Sequence, residues 1–189
     1  MFTVLIINQK GGVGKTTIAD ELVFALERRG LKAAYVSTDP QGGSVHEQPE
    51  DYGEIEASDF QIVDTAGVLS GGLGEWCANA DLVLIPLMPS SRDIEPTLRT
   101  YEIAKENVRA DAPIRFIVNG YYPYGVLDGE LLEFMKDEGL PVLVKIPKTV
   151  ALARAAGRGV SVADFDAKNP SVAAFELLAD EVLKFSEEG

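Results

Sequence analysis

Six short apolar runs rich in Val and Ile divide this chain, and helical patterns fill the gaps between them. The runs are 3–8 (TVLIIN), 32–37 (KAAYVS), 60–64 (FQIVD), 82–86 (LVLIP), 114–119 (IRFIVN) and 142–146 (VLVKI). They are apolar at successive positions rather than alternate ones, which suits strands buried on both faces of a parallel sheet. In the gaps, Ile18, Leu22, Ala25 and Leu26 share a helical face, with Gly30 placed to stop that helix. Ile94, Leu98 and Tyr101 mark a second helix, with Pro96 tolerable in its first turn. Leu127, Leu131 and Phe134 mark a third, ended by Gly139, and Phe175, Leu178, Val182 and Phe185 mark the last, after Pro170. Alternating strands and helices imply right-handed crossovers. The predicted fold is α/β: one domain over 1–189, a doubly wound, mostly parallel sheet flanked by helices. A chain of 189 residues suits one such domain.

Open sheets of this kind bind ligands at the carboxyl ends of their strands. The first run is followed there by QKGGVGKTT. Gly11, Gly12 and Gly14 allow a tight turn in which successive N–H groups point at a phosphate, and the next helix adds its positive end. Val13 and Thr17 belong to the same cradle. Lys15 can reach β- and γ-phosphates, and the Thr16 hydroxyl can bind Mg²⁺. Yet the usual G-x-x-x-x-G-K-[ST] pattern has Gln9 in place of its first glycine and an uncalled-for Lys10. The second and third runs lead into Asp39 and Asp64. An Asp at a buried strand tip beside such a loop is the Walker B arrangement, which holds Mg²⁺, often through water. A cap or turn former is the ordinary alternative for either Asp.

A guanine-reading chain would carry N-K-x-D after a late strand, and this one has VNGYYP, which favours ATP. Asn119 and Pro147, at adjacent strand ends, are candidates to touch the base; turn chemistry explains them equally well.

The net charge of −13 argues against indiscriminate binding to nucleic acid or anionic lipid. The charge is uneven, however. Positions 42–59 hold six acids and no Lys or Arg, whereas 139–163 hold Lys145, Lys148, Arg154 and Arg158 and no acids. The acidic stretch reads as a solvated connection, with a partner-binding loop as the alternative; His46 reads as surface, and YYPYG as an aromatic turn over the core, with stacking on a base or partner as the alternative. Cys77, the single cysteine, rules out a disulfide framework or a multi-cysteine cluster within the chain; with Trp76 it reads as packing. No run reaches the roughly 18 apolar residues of a membrane span, and the chain opens on a strand, so a cytoplasmic protein without a signal peptide is expected.

These stretches resemble the ParA/MinD ATPases with a deviant Walker A motif. KGGVGKTT resembles that motif, with the leading NQ closer to the DNA-partition ParA branch. TDPQG, FQIVDTAG, DLVLIPLMPSSRD and IPKTVALARAAGRGVSV resemble further segments, so the likeness runs over nearly the whole chain. The resemblance implies a dimer of ATP- and Mg²⁺-loaded subunits, free of any membrane, in which Lys10 crosses to the partner's phosphates; polymerisation is left open. It implies that Asp39 positions the attacking water, with a metal role as the alternative. It further implies a slow ATPase stimulated by a centromere-binding partner of the ParB/ParG kind, serving DNA partition while associated with the nucleoid. Lys148, Arg154 and Arg158 match loosely the segment that binds DNA without sequence preference. One departure stands out: the family's D-x-D-P-Q begins here with Ser37. That motivates a second reading, a nucleotide-dependent interaction switch with negligible turnover. A MinD-like membrane regulator is disfavoured by the acidic tail.

Overall fold

The computed structural model describes residues 1–39, 42–67 and 72–188. Pro40 and Gln41 of the TDPQG stretch lie outside the described residues. All six apolar runs are strands: β1 (Phe2–Ile6), β2 (Ala33–Ser37), β3 (Phe60–Asp64), β4 (Leu82–Leu87), β5 (Ile114–Tyr121) and β6 (Val142–Pro147). They form one sheet of order β2-β3-β1-β4-β5-β6, and every pairing is parallel.

The continuous apolar runs follow from burial on both faces. Val4 and Ile6 enter one core layer, with α1 (Lys15–Arg28) and α8 (Pro170–Glu188). Leu5 and Ile7 enter the other, with α3 (Leu73–Asn79), α4 (Ser91–Asn107) and α5 (Val126–Asp137). All four side chains are fully buried, each contributing about 1.5–3 kcal/mol. The chain leaves β1 through α1 on one face and returns from β3 to β4 through α3 on the other. The carboxyl end of β1 is therefore where the winding reverses, which opens a crevice there.

Several local expectations need correction. Pro96 lies in the second turn of α4, because the helix starts at Ser91 on a Ser90 cap, ahead of its first apolar residue. Leu127 is exposed; the buried stripe of α5 is Leu131 and Met135. YYPYG does not cover the core: Tyr122 and Tyr124 are 56% and 85% exposed and pack edge-on against each other. His46 is half-buried, its ring centroid 4.3 Å from that of Phe24.

The acidic connection carries one exposed helical turn, α2 (Tyr52–Glu56), in keeping with a solvated segment. Two further short helices, α6 (Ala151–Ala156) and α7 (Val162–Phe165), are too brief for periodicity to announce. Cys77 is buried in α3, and Trp76 packs on the same layer. Among the described residues no helix is long and apolar enough to cross a membrane.

Candidate nucleotide-binding site

The loop after β1 is anchored before it turns. Asn8 is fully buried, and its Nδ2 donates to the Pro86 carbonyl (2.8 Å) and to Thr97 Oγ1 (2.9 Å). Its Oδ1 accepts from the Lys10 N–H (2.8 Å), and the Gln9 N–H donates to Thr100 Oγ1 (3.0 Å). One amide thus fastens the root of the loop to the end of β4 and to α4. On the other side, Asn119 Nδ2 donates to the Val13 carbonyl (2.9 Å), tying the loop to β5. Gly14 closes the turn at φ +92°, and a Cβ there would lie 2.2 Å from Asn119 Nδ2, so a side chain is excluded both by backbone conformation and by space. As the N-cap of α1, Gly14 brings no capping side chain. The N–H groups of the first turn stay open to an anion, and the helix end favours one.

Gly11, Gly12, Gly14, Lys15, Thr16, Thr17, Asp39, Thr65 and Gly67 line a cleft of about 360 Å³. Lys15 is buried, and its Nζ donates to the Lys10 carbonyl (3.3 Å). Burial lowers its pKa, against the opposing charges of Asp64 and Asp39. Gly67 approaches the loop closely: a Cβ there would meet Gly11 Cα at 3.2 Å.

Asp64 is 1% exposed. Its Oδ2 accepts from Thr16 Oγ1 (2.7 Å) and from the Tyr35 hydroxyl (3.0 Å). Its Oδ1 is buried and has no partner among the described residues. Burial pushes this carboxyl's pKa up, against the Thr16 and Tyr35 hydrogen bonds and the Lys15 charge. A buried carboxylate oxygen without a donor is costly. A hydrated divalent cation satisfies such an atom. Thr16 spends its hydrogen on Asp64 and keeps its oxygen lone pairs for a cation. The donor set, two oxygen-bearing side chains beside an anion-seeking loop, fits Mg²⁺.

Asp39 stands on the cleft wall, and its N–H donates to Ser37 Oγ (3.0 Å). Ser37, which replaces a carboxylate of the usual pattern, closes this turn. Lys10 is half-buried, with its N–H on Asn8 and its carbonyl on Lys15. Pro147 ends β6 opposite Tyr121 and does not line the cleft. Lys148, Arg154 and Arg158 are exposed and stand apart from it; the Arg158 guanidinium covers the Phe165 ring at 4.9 Å. Asn8, Tyr35, Thr65 and Gly67 were not singled out in the sequence. A wider depression of about 850 Å³ runs along α4 past Ile94 and Leu98, without the converging donors of the loop cleft.

The sequence profile of the CobQ/CobB/MinD/ParA nucleotide binding domain (CbiA) matches residues 4–162. The chain belongs to this family. It is 27% identical over 200 aligned positions to the maintenance of carboxysome distribution protein A of Halothiobacillus neapolitanus, covering 91% of each chain. The fold resembles that of the MinD cell division protein of Aquifex aeolicus, with a TM-score of 0.79 at 18% identity, covering 97% of this chain and 98% of the other. It also resembles the septum site-determining protein MinD of Pyrococcus horikoshii, solved with Mg-ADP, with a TM-score of 0.75 at 18% identity, covering 98% and 97%. The ParA/MinD resemblance and the doubly wound P-loop fold are thereby borne out. At such identities the structural likeness is one of fold.

Proposed function

We propose that this CbiA-family chain is a ParA-type ATPase. It dimerises when ATP and Mg²⁺ are bound, and it serves the partition of a DNA cargo with slow hydrolysis that a ParB/ParG-like partner stimulates. The observation that carries the reading is the orphaned Oδ1 of Asp64, buried beside a glycine loop that presents Lys15 and Thr16. The Mg-ADP of the P. horikoshii relative supports the choice of ligand.

In this reading the loop N–H groups of Gly11, Gly12, Val13, Gly14, Lys15, Thr16 and Thr17 hold the phosphates. Lys15 neutralises charge at the β- and γ-positions. Thr16 would ligate Mg²⁺, and Asp64 would hold it through water. Held by these residues, Mg²⁺ would supply charge to offset that developing on the phosphate oxygens. Asp39, fixed by the Ser37 turn, orients the attacking water. Lys10 reaches the phosphates of the partner subunit, and a cation supplied in trans is worth about 10³–10⁵ in rate. Asn119 acts by holding Val13; its contact with the base, and that of Pro147, completes the proposal.

DNA binding falls to Lys148, Arg154 and Arg158, a patch that dimerisation doubles. A membrane role has less support, because α8 turns Phe175, Leu178 and Val182 into the core. The carboxysome relative favours a second reading in which the cargo is a protein assembly.

Phosphate release with and without DNA, for the wild type and for Lys10→Ala and Asp39→Ala, tests the activity. Turnover that falls at least about 10³-fold in Lys10→Ala supports the reading. Undiminished turnover in that variant contradicts the trans lysine. No turnover in the wild type under any condition leaves the interaction switch.

A further inference from the structure

We propose that Tyr35 is a positioning residue that fixes which oxygen of Asp64 faces the cation, an inference that rests on the nucleotide-site reading above. Tyr35 and Asp64 lie on neighbouring strands in the register Ser37↔Asp64, which places Tyr35 two residues behind the strand tip. The residue is 3% exposed, and its hydroxyl donates to Asp64 Oδ2 at 3.0 Å. A buried phenol needs an acceptor. Here it takes the oxygen that Thr16 already occupies and leaves Oδ1 free.

Two donors converging on one oxygen remove the carboxylate's freedom to rotate. With Thr16 alone, the group could turn and offer either oxygen. With both, Oδ1 is held in one place. The direction of the phenol is itself set by packing. The His46 ring lies 6.2 Å from the Tyr35 ring and packs at a tilt of 53° against Phe24 of α1. His46 is held in turn through its Nε2 contact with the Asp20 carbonyl (3.2 Å) and its N–H on Ser44 Oγ (2.9 Å). The Ser44 hydroxyl donates to the Asp20 carboxylate. A chain of contacts thus runs from α1 through positions 44–46 to the ring that orients Asp64. Partners that orient a metal's ligands are worth about 10–100-fold in metal affinity, and Tyr35, which orients a carboxylate that reaches the cation through water, belongs at the low end of that range.

The test is a Mg²⁺ titration of a fluorescent ADP analogue bound to EDTA-stripped protein, for the wild type, Tyr35→Phe and Asp64→Asn. Phenylalanine keeps the ring and its packing, and circular dichroism checks the fold. Manganese binding followed by electron paramagnetic resonance gives the metal affinity without turnover. Tyr35→Phe is expected to bind the nucleotide as the wild type does in EDTA, while its half-saturating Mg²⁺ and Mn²⁺ rise about tenfold. Unmoved metal midpoints in Tyr35→Phe, with shifted ones in Asp64→Asn, would leave Tyr35 a packing residue and overturn the inference alone. Unmoved midpoints in both variants would overturn the role of Asp64 and this inference with it.

Discussion

Thr16 and Asp64, 48 residues apart in the chain, meet at the floor of the cleft, where the threonine hydroxyl donates to Oδ2 at 2.7 Å. The contact joins the first turn of α1 to the tip of β3 and leaves the threonine oxygen free to take a cation. Thr16→Ala removes both functions. Its Mg²⁺-dependent turnover is expected to fall at least about 100-fold, with nucleotide affinity in EDTA nearly kept. Phosphate release and calorimetric titration with and without Mg²⁺ check this.

The Asn8 side-chain amide is buried and pairs with the Pro86 carbonyl of β4, Thr97 Oγ1 of α4 and the Lys10 N–H of the loop. Asn8→Ala leaves the Pro86 carbonyl and the Lys10 N–H without their partner. Leaving buried polar groups unpaired costs about 1–3 kcal/mol each. Urea denaturation is expected to show a loss of about 2–4 kcal/mol. Turnover should fall beyond what the folded fraction explains, because Lys10 loses its backbone anchor.

Glu21 gives the fold a pH dependence that lies outside the cleft. It is 4% exposed, its Oε1 accepts from the Val162 N–H (2.8 Å), and its Oε2 is buried without a partner among the described residues. Burial pushes the carboxyl from 4.5 up to about 7, against the Val162 hydrogen bond and the Arg28 charge. Between those values the unfolded chain has lost the proton and the folded chain keeps it. Stability from this group is therefore complete below pH 4.5 and is lost as pH rises through 7. Glu21→Gln keeps the acceptor for Val162 and removes the titration. Denaturation at pH 5 and pH 8 is expected to show the wild type losing up to about 3 kcal/mol that the variant keeps.

For the basic segment, the measurement is the salt dependence of DNA binding with ATP present. Each phosphate contact contributes a log–log slope near −0.9 on duplex DNA. Arg154→Ala with Lys148→Ala is expected to flatten the slope by about two such contacts and to weaken binding uniformly across sequences. An unchanged slope would place the DNA surface elsewhere.

The strands were legible because burial on both faces writes itself as uninterrupted apolar runs, and all six runs are strands. The glycine loop was legible because its signal is local and its spacing is tied to one turn. Asn8 and Tyr35 were harder. Their partners lie 78 and 29 residues away, at Pro86 and Asp64, and only the sheet order brings them together. Tyr35 did leave a trace: a tyrosine inside a buried strand must find an acceptor. The exposure of Tyr122 and Tyr124 left none, because aromatic composition suggests burial while the turn after β5 points these rings outward. Ser37 read as a loss of charge, and the structure adds what it gains, a hydroxyl that closes the turn carrying Asp39.

The central claim is that each subunit completes the other's site with Lys10, and subunit mixing tests it most directly. Lys10→Ala retains its own Asp39 but lends no lysine; Asp39→Ala lends the lysine but cannot orient water. Phosphate release by each variant alone should be nearly absent. An equimolar mixture should recover activity, since each mixed dimer holds one site with an intact Asp39 and a donated Lys10. A mixture that releases no more phosphate than the two variants measured separately would contradict the account.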